Sequence, residues 1–295
     1  MKNNIAVIGL GSMGYGIATS CLRSGHLVWG VDTNIDQVKA FCSQGGQATT
    51  LNSVIDKIDV VVVVVLNSVQ TEEVLFGQEG LVENLKPGTV VISCATVAPT
   101  FAIDMERRCK EFEIFYLDAP ISGGALKAKN GQLSIMASGV KEAFQHARPT
   151  LDSISETVFE LGDEAGTGSA MKSVNQLLAG VHIAVMAEAL TFGISQGISP
   201  DKFVEVISKC AGTSWMLENR APHIVNGDYK PHSSINIWPK DLGIVLDVAL
   251  ESKFNAPIAT AALEQFRTAV DMGLGFEDDA AVAKVYAKSA NLSLP

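Results

Sequence analysis

The chain has 295 residues, 47% of them apolar, and a formal net charge of −10 at pH 7. That length accommodates two ordinary domains, and an acidic balance without a long basic run argues against a nucleic-acid backbone or an anionic membrane surface as partner. The five cysteines, Cys21, Cys42, Cys94, Cys109 and Cys210, include no C-x-x-C pair, so neither a disulfide framework nor a metal site is expected.

From the N-terminus, Ile5–Ile8, Leu27–Val31, Val60–Leu66, Val90–Ser93 and Ile114–Leu117 read as strands, separated by helical stretches. Strand–helix alternation predicts βαβ crossovers and a parallel sheet. The six valines at Val60–Val65 suit a central strand covered on both faces. Leu133–Ala137 and Thr157–Leu161 are expected to extend the same sheet. The glycine-rich segment Gly9-Leu10-Gly11-Ser12-Met13-Gly14 begins within a few residues of Met1, which gives the expectation of no leader segment and a cytoplasmic compartment. The longest apolar run of note, Val60–Leu66, falls far short of the roughly 20 residues that cross a bilayer.

After Gly162 the texture changes. Ser169–Gln196 is free of proline and reads as one long helix, followed by helical patterns at Pro200–Cys210, about Pro239–Ser252, Pro257–Met272 and Asp279–Ser289. The expected fold is therefore α/β: a Rossmann-type doubly wound sheet, then an all-α C-terminal domain joined through a long interdomain helix. The expected boundary lies between a first domain, 1–163, and a second, all-helical domain, 164–295.

Gly9-Leu10-Gly11-Ser12-Met13-Gly14 directly follows the first predicted strand and opens a helix, the context in which G-x-G-x-x-G binds a dinucleotide. Gly9 allows the tight turn, Gly11 lets backbone approach a pyrophosphate, and Gly14 permits close helix–strand packing. Asp32 ends the second strand 18 residues beyond Gly14, where an acid hydrogen-bonds the adenosine ribose. Thr33 and Asn34 follow it, with no arginine to receive a 2′-phosphate, so the expected cofactor is NAD rather than NADP.

Four segments in order resemble the β-hydroxyacid dehydrogenase family over essentially the whole chain. They are the glycine motif, Asp118-Ala119-Pro120-Ile121-Ser122-Gly123-Gly124, Gly166-Thr167-Gly168 with Lys172 and Asn175, and Lys240-Asp241-Leu242. The resemblance implies that Lys172 takes the hydroxyl proton as hydride leaves for the nicotinamide. To act as a base at neutral pH, such a lysine must have its pKa lowered by roughly 2–3 units from about 10.4. It further implies that Asn175 orients the substrate, that Ser122, Gly123 and Gly124 form the substrate loop, and that Thr96 and Lys240 contact the cofactor. Asn175 and Gln176 lie three and four residues beyond Lys172, so all three share adjoining parts of one helical surface. The family's sugar-phosphate branch carries a glutamate seven residues after its lysine, whereas Ala179 stands here.

That leaves a small unphosphorylated hydroxy acid as the expected substrate. The stretches Ala211–Arg220 and Asp228–Ser233 supply Ser214, Asn219 and His232 as partners for a polyhydroxylated one. Trp215, Trp238 and His182 read either as site residues or as packing. A reductase working in the opposite direction through Lys172 and a silent NAD-binding protein are the alternatives. A homo-oligomer is expected, as in the related enzymes.

Overall fold

The computed structural model describes residues 2–47 and 50–295. The chain divides into two compact units, residues 1–172 and 173–295. The first contains β1 (Asn4–Ile8), α1 (Ser12–Arg23), β2 (Leu27–Val31), α2 (Ile35–Ser43), β3 (Val60–Val63), α3 (Ser68–Phe76), β4 (Val90–Ser93), α4 (Pro99–Lys110) and β5 (Phe115–Asp118). It continues with β6 (Ile121–Ser122), α5 (Gly124–Asn130), β7 (Leu133–Ala137), α6 (Lys141–Ile154), β8 (Ser155–Glu160) and the first residues of α7 (Thr167–Ser195).

Among the described residues, β1 to β5 pair in the order β2-β1-β3-β4-β5, all parallel. The valine run shows why. Val60 and Val62 join one core with Ile5, Val7, Val90 and Ile92, backed by Ile17 of α1 and Leu151 of α6. Val61 and Val63 face the opposite core with Ala6, Val91, Leu75 of α3 and Met105 of α4. A strand walled on both sides has no face on which a polar residue is favoured. The strand ends at Val63, short of the predicted Leu66, because Val64 and Val65 turn into the loop beside Gly9.

The expected extension of this sheet is corrected. β6, β7 and β8 form a separate sheet, antiparallel between β6 and β7 and parallel between β7 and β8. An isolated antiparallel bridge between Asp118 and Ser138 ties the end of β5 to the residue after β7. Pro120 has no N–H for a ladder, and its carbonyl instead accepts from the Met136 amide at 3.0 Å, so the chain turns away rather than continuing β5.

The second unit holds the rest of α7, then α8 (Pro200–Ile207), α9 (Trp215–Val225), α10 (Ile237–Glu251), α11 (Pro257–Asp271) and α12 (Ala283–Ser289). Its core gathers Ile183, Met186 and Leu190 of α7 with Phe203, Leu217, Ile224, Leu242, Leu263 and Phe266. The helix α9 was not anticipated: Ser214 caps it by accepting from the Leu217 amide, and Pro222 sits inside it. By length and composition the 29-residue α7 meets the requirement for crossing a membrane, a property hidden from the search for unbroken apolar runs because Gly180, His182 and Glu188 interrupt it. Its apolar side chains divide between the core and an exposed row of Val174, Leu178, Val185 and Phe192.

Candidate active site

The sheet order reverses between β2-β1 and β3, and the loop after β1 lies at that switch point, where open α/β sheets receive ligands. Gly9 has φ +93°, and a Cβ on it would fall 2.3 Å from the Val64 carbonyl oxygen. A Cβ on Gly14 would fall 1.8 Å from the Gly9 oxygen, so α1 and the loop touch through bare backbone. Gly11 differs: a Cβ there meets nothing within 4 Å, and backbone is open to an approaching group. Ser12 and Met13 open α1, whose first turn has no acid and whose N-terminus has no side-chain cap. Its amides and the positive end of its dipole are thus suited to a pyrophosphate. These features fit a dinucleotide.

Asp32 is tied to this loop. Its Oδ2 accepts from the Leu10 amide at 2.6 Å and its Oδ1 from the Asn34 amide at 2.7 Å. Leu10 itself is buried in the core, anchoring the loop from below. Thr96 is half-buried in the loop between β4 and α4.

Lys172 is 7% exposed, and its Nζ donates to the Ile121 carbonyl at 2.9 Å. That oxygen immediately precedes Ser122-Gly123-Gly124, so the lysine and the expected substrate loop share one corner of the first unit. Gly123 and Gly124 both have positive φ, +133° and +76°, and a Cβ on Gly124 meets open space. Sequence reasoning missed what holds this corner. Asp118, fully buried at the end of β5, accepts from the Gly166 and Ser169 amides at Oδ2 and from Ser169 Oγ at Oδ1. It thereby anchors the start of the helix that carries Lys172. Burial raises the Asp118 pKa, against the hydrogen bonds from Ser169 and Gly166 that lower it. Gly168 completes the corner, for a Cβ there would meet the Asp118 and Met136 carbonyl oxygens at 2.5 Å. The motif Asp118-Ala119-Pro120 was the available signal, yet only the fold shows its partner about 50 residues on.

In the second unit Asn175 Nδ2 donates to Gln176 Oε1 at 2.9 Å, and Gln176 Nε2 donates to Asp241 Oδ2. Lys240 Nζ stands 2.6 Å from the other oxygen of Asp241. Other expected site residues have structural partners: Asn219 accepts from Arg220, the His232 amide donates to Asp278, and Trp238 is buried, stacked on Phe266 with Nε1 donating to Asp279. Trp215 is exposed, and His182 lines a cavity of about 310 Å3 with Phe203, Thr213 and Ser214. Among the described residues no group of His, Cys, Asp and Glu is arranged to hold a metal.

A doubly wound parallel sheet with a glycine loop at its switch point and an acid closing the second strand defines a dinucleotide-binding protein of the Rossmann type. Comparison with known proteins narrows this. Residues 4–162 match the model for the NAD binding domain of 6-phosphogluconate dehydrogenase, and residues 166–286 that for the NAD-binding region of NADP-dependent 3-hydroxyisobutyrate dehydrogenase. The chain is 46% identical to L-threonate dehydrogenase of Cupriavidus necator, covering 97% of each chain. It is 42% identical to L-threonate dehydrogenase of Escherichia coli strain K12, covering 99% of this chain and 96% of the relative. The crystal structure of 3-hydroxyisobutyrate dehydrogenase from Salmonella typhimurium superimposes with a TM-score of 0.91 at 40% identity, covering 96% of this chain and 100% of that one. The chain belongs to the β-hydroxyacid dehydrogenase family and is an NAD-dependent enzyme acting on the CH–OH group of a hydroxy acid.

Proposed function

We propose that the substrate is L-threonate, oxidised at C2 to the 2-oxo acid, with Lys172 as the general acid/base. The observation that carries the catalytic assignment is the nearly buried Lys172 amine held at the carbonyl that precedes Ser122-Gly123-Gly124. The substrate is supported by the relatives named L-threonate dehydrogenase, which match nearly the full chain. NAD supplies the hydride acceptor. Lys172 receives the hydroxyl proton, Ser122 and the amides of Gly123 and Gly124 hold the carboxylate, and Asn175 with Gln176 orients the hydroxylated carbon chain. Gly9 to Gly14, Asp32, Thr96 and Lys240 hold the dinucleotide. We assign residues 1–163 to NAD binding and 164–295 to substrate binding and assembly. The 40% identical crystal structure makes 3-hydroxyisobutyrate the second substrate to test.

Reduction of NAD assayed against L-threonate, D-threonate, D-glycerate, 3-hydroxyisobutyrate and 6-phosphogluconate decides the matter. The highest kcat/KM is expected for L-threonate, and activity confined to another acid overturns the assignment. Lys172→Ala is expected to abolish turnover while NAD still binds; substantial activity in that variant removes the role. With Asp32 on the adenosine ribose, the 2′-phosphate of NADP would meet its carboxylate, a repulsion of about 4 kcal/mol per charge pair at 4 Å and an effective dielectric near 20, before screening. Asp32→Ser with Thr33→Arg is expected to move preference toward NADP by about two orders of magnitude.

We also place the enzyme in the cytoplasm as a homo-oligomer. Val174, Leu178, Val185 and Phe192 recur at coiled-coil-like spacing along the exposed side of α7 and are the surface a second copy would cover. Light scattering on the wild type and on Val185→Lys tests this, with loss of assembly expected in the variant.

A further inference from the structure

The hydrogen bonds around Asn175 run in one direction. Gly180 lies one turn beyond Gln176 on α7, and a Cβ on it would stand 3.0 Å from Trp238 and Leu242 side chains. The close approach of α7 and α10 at this level brings Asp241 within hydrogen-bonding distance of Gln176. Asp241 is 3% exposed. Its Oδ2 accepts from Gln176 Nε2, its Oδ1 pairs with Lys240 Nζ, and Gln176 Oε1 accepts from Asn175 Nδ2.

A carboxylate has acceptors and no proton to give. Gln176 must therefore turn its NH2 toward Asp241 and its carbonyl toward Asn175. Asn175 must in turn spend one N–H on Gln176, which leaves its own carbonyl oxygen as an acceptor. For two amides alone, both orientations satisfy the bond between them, and the buried carboxylate removes that freedom.

The reacting hydroxyl has one proton, which goes to Lys172 as the carbon gives up hydride to the nicotinamide. An acceptor at Asn175 is therefore available to a different donor on the substrate. We propose that Asp241 is a positioning residue that, through Gln176, sets the polarity of the Asn175 amide, and that the Asn175 carbonyl selects substrates bearing a second hydroxyl on the carbon next to the reacting one. This rests on the assignment of Asn175 to the substrate.

The test compares 2,3,4-trihydroxybutanoate with 2,4-dihydroxybutanoate, which differ only in that hydroxyl, by the ratio of their kcat/KM values. A ratio of about a hundredfold or more is expected for the wild type, because a site built to bond a hydroxyl rejects the analogue lacking it. In Gln176→Met and Asp241→Asn it is expected to fall below about tenfold. Retention of NAD binding, followed by quenching of protein fluorescence, shows that these variants are folded. Gln176→Glu keeps the side chain's size and provides a second route if Gln176→Met does not fold. Its carboxyl, when protonated, donates to Asp241 and shows a carbonyl to Asn175 as glutamine does. Discrimination in that variant is expected to be present at acid pH and lost as pH rises, while the wild-type ratio stays flat.

A wild type indifferent to the second hydroxyl overturns the proposal. So does a ratio unchanged in Gln176→Met, or independent of pH in Gln176→Glu. Asn175→Ala separates the two levels: if it leaves kcat and the ratio intact, the assignment of Asn175 itself fails. If it alone abolishes discrimination and the Gln176 and Asp241 variants do not, only the role of Asp241 falls.

Discussion

The glycine loop of the first unit and the buried polar chains of the second place polar groups by opposite means. Around Gly9, Gly14 and Gly168 the backbone itself makes the surface, and an added methyl would meet a carbonyl oxygen at 1.8 to 2.5 Å. In the second unit side chains are strung together: Arg220 on Asp279, which also accepts from Trp238, and His223 on Asp278, which also accepts from the His232 amide. Burial raises the pKa of Asp279, opposed by Arg220, whereas at Asp278 the bonds from His223, His232 and Ala280 overcome burial and lower it. A backbone site tolerates almost no change at its glycines, while a side-chain network loses one link at a time.

The sharpest break of that contrast is Gly14→Ala, whose methyl has no space between α1 and the loop. It is expected to cost about 3 kcal/mol or more and to leave little folded protein, as read by thermal unfolding. In the second unit, Arg220→Ala leaves Asp279 buried without its cation, and a loss of about 3–5 kcal/mol in denaturant unfolding is expected. Gly11→Ala then separates folding from binding within the loop. Its methyl meets open space, so the melting temperature should stay close to wild type while NAD affinity drops by about tenfold or more. An unchanged affinity would mean that the cofactor does not approach at Gly11.

The smallest expected effect concerns His26, a buried side chain of the first unit whose Nδ1 accepts from the Asn3 amide at 3.0 Å. Burial, foremost, lowers its pKa below 6.5. Between that lowered value and 6.5 the unfolded chain binds more protons, so stability rises with pH across the window and is lost as pH falls below about 6.5. The melting temperature of His26→Gln should depend less steeply on pH there than that of the wild type.

The same contrast explains what the sequence revealed. The tight turn at Gly9 and the close packing at Gly14 were legible because a backbone surface leaves its glycines in a short fixed spacing after a strand. The run Val60–Val65 was legible because two-sided burial suppresses alternation. Asp118 and Asp241 were not readable as anchors, since Gly166, Ser169 and Gln176 meet them only in three dimensions, about 50 and 65 residues away. The helix α9 was hidden by Pro222 and by residues read for their chemistry, although Ser214 was a serviceable capping signal. The separate sheet of β6 to β8 escaped because strand-like composition does not specify which edge a strand joins.

The helix α7 acts as a ruler whose zero mark is Asp118. One residue inserted between Ser169 and Lys172 would swing the amine by about 100° and advance it by about 1.5 Å, taking it from the Ile121 carbonyl. A seven-residue insertion would restore the angle but carry the amine about 10 Å along the axis. Length variation here therefore has no neutral step. Adapting this scaffold to another hydroxy acid has to proceed by exchanging side chains around a fixed lysine, not by moving the lysine to suit the acid.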